Sequence, residues 1–148
     1  MPSEAFLAAA QSERRLVIAE HALDDADGLS KLRHLFANDA ALALADYAQK
    51  VGTNIGDLSE FFSQQAVQHA LNGQIVVDYK VTIDGRVVMR GSTEQHLTKG
   101  NYTNRDNAAR VYFDTIDYGG LRLVAVLYCG PHPLSSLTAD VDLSNLFG

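Results

Sequence analysis

A single cysteine, Cys129, occurs in 148 residues, which excludes an internal disulfide framework and any zinc site built on several thiolates and suits a reducing cytoplasm. Tryptophan is absent and proline occurs three times, with no Pro/Ser-rich stretch to mark a linker. Basic residues are sparse, 12 Lys and Arg against 18 Asp and Glu for a formal charge of −6. Binding a phosphate backbone by counterion release needs clustered cations. Those present are scattered, so no nucleic-acid partner is expected. No stretch approaches the roughly 20 apolar residues of a membrane span. The N-terminus carries Glu4 and no basic flank, so it does not read as a signal peptide. Metal-ligand spacings such as H-x-x-x-H, glycine-rich phosphate loops and the G-x-S-x-G elbow are all missing, and no metal or other cofactor is expected. What remains is a 47% hydrophobic chain, long enough to bury a core as one domain over residues 1–148.

An Ala/Leu-rich first half and a β-branched, aromatic second half make an α+β pattern. The spacing of Leu16, Ala19 and Leu23 predicts a helix over residues 3–23, capped by Ser3. A second helix starts near Ser30, with Leu29, Leu32, Leu35 and Phe36 as its apolar stripe, and closes at Asn38-Asp39. Residues 40–50 are ambiguous, helix by propensity and strand by length and the preceding break. A third helix is expected from Ile55 to His69, with Asn54 as cap and Asp57 in its first turn. From Gln74 the period becomes two: Ile75, Val77, Tyr79, Val81 and Ile83 alternate with more polar neighbours. Asp84-Gly85 suits a tight hairpin turn returning along Arg86 to about Gln95. Residues 97–107 read as a polar loop that includes the glycosylation-like Asn101-Tyr102-Thr103. Ala109–Tyr118 and Leu121–Cys129 form a second hairpin around Gly119-Gly120, and Gly130-Pro131-His132-Pro133 stops the last strand. A continuous antiparallel meander of at least four strands is the expected sheet, and residues 134–148 are left without a structure.

Ala22-Leu23-Asp24-Asp25-Ala26-Asp27, followed by Leu32-Arg33-His34-Leu35-Phe36-Ala37-Asn38-Asp39-Ala40, resembles the opening of the nuclear-transport-factor-two-like superfamily, home of the SnoaL-like polyketide cyclases and ketosteroid isomerases. Leu58-Ser59-Glu60-Phe61-Phe62, the hairpin Ile83 to Arg90 and the segment Glu94 to Gly100 are similar to later parts of the same pattern. The resemblance implies a cone, with a curved antiparallel sheet wrapped around N-terminal helices and an apolar pocket at the open end, and it implies a strand or irregular segment near residues 40–47. It also implies cofactor-independent acid/base chemistry on an apolar carbonyl or polyketide-like molecule. Asp114 falls where SnoaL-like cyclases carry an acid/base aspartate. The isomerase carboxylate position is Leu44, with Asp46 two residues on, no tyrosine lies between residues 3 and 23, and Val126-Leu127-Tyr128 replaces a polar cluster of the final strand.

Two residues are the catalytic candidates. Asp114 shares a strand face with Tyr112 and Ile116, and a carboxylate facing an apolar pocket can exchange protons near neutrality. His96 stands two residues after Glu94, so in extended chain both point to one face as a proton-transfer pair. The bland alternatives are a surface carboxylate paired with Arg110 or Arg122, and a solvated strand-end histidine. Tyr79, Tyr112 and Tyr128 could line a pocket for a flat apolar or aromatic ligand, with Glu94, Arg90 and His132 as polar contacts. His21, His34 and His69 read as surface residues on helices. Three functions compete: a small acid/base enzyme, a non-catalytic ligand-binding or dimerisation module, and a ribonuclease-type toxin using Glu94, His96, Arg110 and His132. The last would need Arg86, Arg90, Arg105 and Arg110 along one groove. A homodimer on the outer sheet face is expected from the apolarity of both faces of the final strand.

Overall fold

The structure, a computed structural model, describes residues 1–99 and 108–147. Its first helix, α1 (Pro2–Ser12), has a proline in its first turn and buries Pro2, Phe6 and Ala9. It stops well short of residue 23, because the apolar run Leu16-Val17-Ile18 is taken as a strand, β1 (Leu16–Ile18), laid parallel against Val124, Ala125 and Val126. Ser3 is not its cap. Its N–H and hydroxyl donate to the carboxylate of Asp27 at 2.9 and 2.6 Å, tying α1 to the 3₁₀ turn Ala26–Gly28 and holding the Asp27 carboxyl below its usual pKa.

The second helix, α2 (Lys31–Lys50), runs unbroken through Asn38-Asp39 and through the segment for which the resemblance implied a strand. Local propensity decides here: Ala37, Ala40, Ala41, Ala43 and Ala48 are strong helix formers, and with Phe36, Leu44 and Tyr47 they make one buried stripe. The expected stripe is displaced. Leu32 and Leu35 are 82% and 63% exposed, since the small alanines, not the leucines, let α2 lie close to the sheet.

Asp57, not Asn54, caps α3 (Leu58–Ser63), accepting from the N–H groups of Ser59 and Glu60 at 2.8 and 3.3 Å. The helix ends early as Ala66 takes φ of +66°. His69 therefore sits not on a helix but on a short strand, β2 (Gln68–Ala70).

Among the described residues eight strands form two sheets instead of one meander. The hairpin of β3 (Val77–Ile83) and β4 (Arg86–Thr93) belongs with β8 (Leu137–Asp142), in the order β4-β3-β8, with β3 and β8 parallel. β5 (His96–Lys99), which overlaps the start of the residues read as loop, joins β6 (Ala109–Tyr118), β7 (Leu121–Pro131), β1 and β2 in the order β1-β7-β6-β5-β2. The end of that loop, including Asn101-Tyr102-Thr103, lies outside the described residues. The β3–β4 turn is as expected: Asp84 and Gly85 have φ of +51° and +79°, the pair of positive angles that a two-residue hairpin requires. A last short helix, α4, spans Ser144–Phe147.

The helices cover one face of the larger sheet, where Phe6, Phe36, Leu44, Phe62, Val111, Phe113 and Val126 form a core. The smaller sheet covers the other face through Val77, Tyr79, Val81, Ile116, Leu123, Leu127 and Val141. The result is α+β with N-terminal helices and mixed sheets not closed into a barrel. Leu123, Val124, Ala125, Val126 and Leu127 are all buried, so the two-faced apolarity of β7 that suggested a dimer is satisfied inside the chain. Among the described residues no helix is long and apolar enough to cross a membrane.

Candidate functional site

Strand register assembles a polar and aromatic row at one end of the larger sheet. His96, Tyr112 and Tyr128 are direct cross-strand neighbours on β5, β6 and β7, on the face turned toward the smaller sheet. Their rings follow one another at centroid distances of 5.0 and 6.2 Å. The next row outward is Thr98, Arg110 and Gly130. Arg110 donates to the Thr98 hydroxyl and to the carbonyl of Ala109. A side chain at 130 has no room, as its Cβ would lie 2.7 Å from the Tyr128 Oη; that hydroxyl donates to the Pro131 carbonyl. His132 closes the end: its N–H donates to the Ala108 carbonyl and its ring Nδ1–H to the Pro133 carbonyl, at 2.9 and 2.8 Å.

His96 is the buried polar member, 7% exposed. Burial lowers its pKa, and Arg110, His69 and His132 lower it further against the opposing pull of the Glu94 carbonyl. Its Nδ1–H donates to that carbonyl at 2.9 Å, which fixes the tautomer and leaves Nε2 as the basic nitrogen. The expected carboxylate–imidazole pair is not formed. β4 ends at Thr93 and β5 begins at His96, so Glu94 and Gln95 cross between the two sheets and two-residue alternation does not hold. The Glu94 carboxylate instead accepts from Gly73 N–H at 3.2 Å.

Asp114 shares its strand face with Tyr112 and Ile116, as the alternation predicts, but it is a connector between sheets. Its Oδ2 accepts from the Tyr79 hydroxyl at 2.7 Å and its Oδ1 from Thr115 N–H at 2.9 Å, with the Gln95 amide at 3.5 Å. Neither Arg110 nor Arg122 pairs with it; Arg122 binds Asp117 at 2.8 Å. Burial and the Asp114 carboxylate push the Tyr79 phenol well above its ordinary pKa. Gln95 extends the chain, because its Oε1 accepts from His69 Nε2 at 2.9 Å. His69, read as a surface residue, is half-buried between Phe62 and Phe113, and its buried Nδ1 has no partner among the described residues.

No protein family, curated protein or solved structure matches this chain.

The remaining candidates separate. Arg90 is exposed on the outer face of the smaller sheet, across from Lys80, and does not join the His96 row. None of the described cavities is lined by His96 or Asp114. Among the described residues no cluster of His, Cys, Asp and Glu could hold a metal ion. Arg110, read from the sequence as an ion-pair partner of Asp114 or a ribonuclease cation, instead stands on the row beside His96, while Gln95, which no motif marks, links Asp114 to His69. What the His96 end offers is a neutral imidazole with one committed nitrogen, a guanidinium beside it and a second imidazole at the edge.

Proposed function

We propose that the chain is a cofactor-independent acid–base protein for a small molecule bearing an anionic group, working at the end of the larger sheet where His96, Arg110 and His132 meet. The carrying observation is the state of His96: held through Nδ1 by the Glu94 carbonyl and lowered in pKa by burial and by neighbouring bases and Arg110. Such an imidazole is an unprotonated base at neutral pH. Nε2 would take a proton from an acidified C–H or O–H, and the Arg110 guanidinium would stabilise the negative charge left on the substrate. His132 supplies a second imidazole to return the proton. The reacting group is thus moved from Asp114, whose oxygens are already engaged by Tyr79, Thr115 and Gln95, to His96. The ribonuclease reading loses its row of cations: Arg86 and Arg90 stand on β4 of the other sheet, and Arg105 lies outside the described residues.

The filled interior favours a second reading, a non-catalytic binding module. Tyr79, Tyr112, Ile116 and Leu123 close the space between the sheets. The test is deuterium uptake from D2O into the methylene of phenylpyruvate, an aromatic keto acid with an acidified C–H and a carboxylate, followed by proton NMR. The enzyme reading expects exchange above the buffer rate that is lost in His96→Gln and Arg110→Gln and kept in Asp114→Asn. Perturbed His96 ring signals without exchange would establish the binding module, and neither effect would overturn both.

A further inference from the structure

At the opposite end of the strands from His96, the tips of two hairpins face each other across a groove of about 400 Å³, within the size range of small-ligand sites. Ile83, Asp84, Arg86 and Val88 come from the β3–β4 hairpin, Tyr118 from the end of β6 and Phe147 from α4. The groove is built rather than incidental. Leu143 N–H donates to the Thr82 carbonyl and Asp84 N–H to the Ser144 hydroxyl, both at 2.8 Å, which fixes the C-terminal segment to the hairpin. The Phe147 ring lies directly over Gly119, where a Cβ would come within 2.4 Å of it, and meets Tyr118 edge-on at 5.3 Å. Two aromatic rings and two aliphatic side chains therefore stand in fixed positions.

Asp84 and Arg86 flank this apolar surface from either side of the turn glycine. Neither side chain has a hydrogen bond or ion pair among the described residues, and the two do not bridge each other. A groove of mixed lining, with two aromatic rings, two aliphatic side chains, one unengaged carboxylate and one unengaged guanidinium, complements a molecule with an apolar body and both charges close together. We propose that the groove binds a free α-amino acid with an aromatic or large aliphatic side chain: ammonium to Asp84, carboxylate to Arg86 and side chain against the Tyr118–Phe147 pair. The assignment is independent of the His96 site.

The experiment is an NMR titration of the full chain with L-phenylalanine, 3-phenylpropionate, phenethylamine and glycine. L-Phenylalanine should shift signals of Arg86, Tyr118 and Phe147 and bind severalfold more tightly than the two singly charged analogues, the scale expected of solvent-exposed charge pairs. Glycine, without a side chain, should not bind measurably. Arg86→Gln and Asp84→Asn, both at exposed positions and the latter in a residue type that tolerates positive φ, should each reduce L-phenylalanine affinity severalfold while leaving the spectrum dispersed. Equal binding of the three aromatic compounds, shifts located elsewhere, or variants that bind like wild type would overturn the proposal.

Discussion

Gly91→Ala is the sharpest structural test of how the two sheets are joined. Gly91 lies directly across from Tyr79 on the β3–β4 ladder, and the Tyr79 ring rests on its backbone: a Cβ at 91 would be 2.3 Å from both Cζ and Oη. Tyr79 is only 6% exposed, and its hydroxyl is held by Asp114 at 2.7 Å. A methyl group here must displace the ring and with it the hydrogen bond. Forcing an extra methyl into a packed site costs about 1–3 kcal/mol, and losing the part-buried hydrogen bond to the Asp114 carboxylate costs about 1–3 kcal/mol more. A loss near the middle of those ranges, about 3 to 4 kcal/mol, is expected. With a urea slope of about 2 kcal/mol per molar, the unfolding midpoint should fall by roughly 1.5 to 2 M. Tyr79→Phe keeps the ring and removes only the bond, so it should cost only that bond's share, about 1–3 kcal/mol. In a Tyr79→Ala background the clash is gone, and Gly91→Ala should become neutral or mildly stabilising. A Gly91→Ala protein within about 0.5 kcal/mol of wild type, the range of ordinary surface substitutions, would refute the reasoning.

Asp57→Ala removes both bonds at the start of α3 and should cost about 1 kcal/mol in urea melts; an unchanged midpoint would mean α3 needs no cap. The depressed pKa of His96 makes the unfolded chain bind the proton first, so stability should fall as pH drops from above 6.5 toward the lower folded value. His96→Gln should flatten that part of the stability profile, and a profile of the same slope would exclude His96 as its source. Burial pushes the Cys129 thiol up to about 12. Ellman's reagent should therefore react with the folded protein only at the rate of its opening, and rapid labelling without denaturant would contradict the buried placement.

The two-residue period and the turn chemistry made the hairpins legible: Asp84-Gly85 and Gly119-Gly120 fall where positive φ is found. What local pattern could not show was partnership between distant segments. Leu16–Ile18 is compatible with a helix until Val124–Val126 offers a parallel edge, and Leu137–Asp142 becomes a strand because β3 lies beside it. The α2 segment shows the reverse. Asn38 and Asp39 have break-prone side chains, yet Asn38 faces solvent and Asp39 is half-exposed, where they cost the helix little, and the alanine run carries it through. A resemblance assembled from short motifs placed a strand there against the local preference, and the local preference prevails.

At the candidate site, the face of Asp114 could be read from alternation, but its role depended on what the opposite layer placed against it. That layer is Tyr79, 35 residues earlier in the chain, and it converts a candidate base into a link between sheets. In the function proposed above, the histidine is the better base for the complementary reason. Its committed nitrogen is satisfied by a carbonyl two residues away, so the sheet crossing that separated it from the Glu94 carboxylate also left it neutral and singly held. Opposing fates for two titratable groups on one face follow from whether the partner brought by the fold is a hydroxyl donor, which stabilises a carboxylate where it is, or a carbonyl, which fixes an imidazole and leaves its second nitrogen to react. On that logic Asp114→Asn should disturb the coupling of the sheets more than any proton transfer, and His96→Gln the converse.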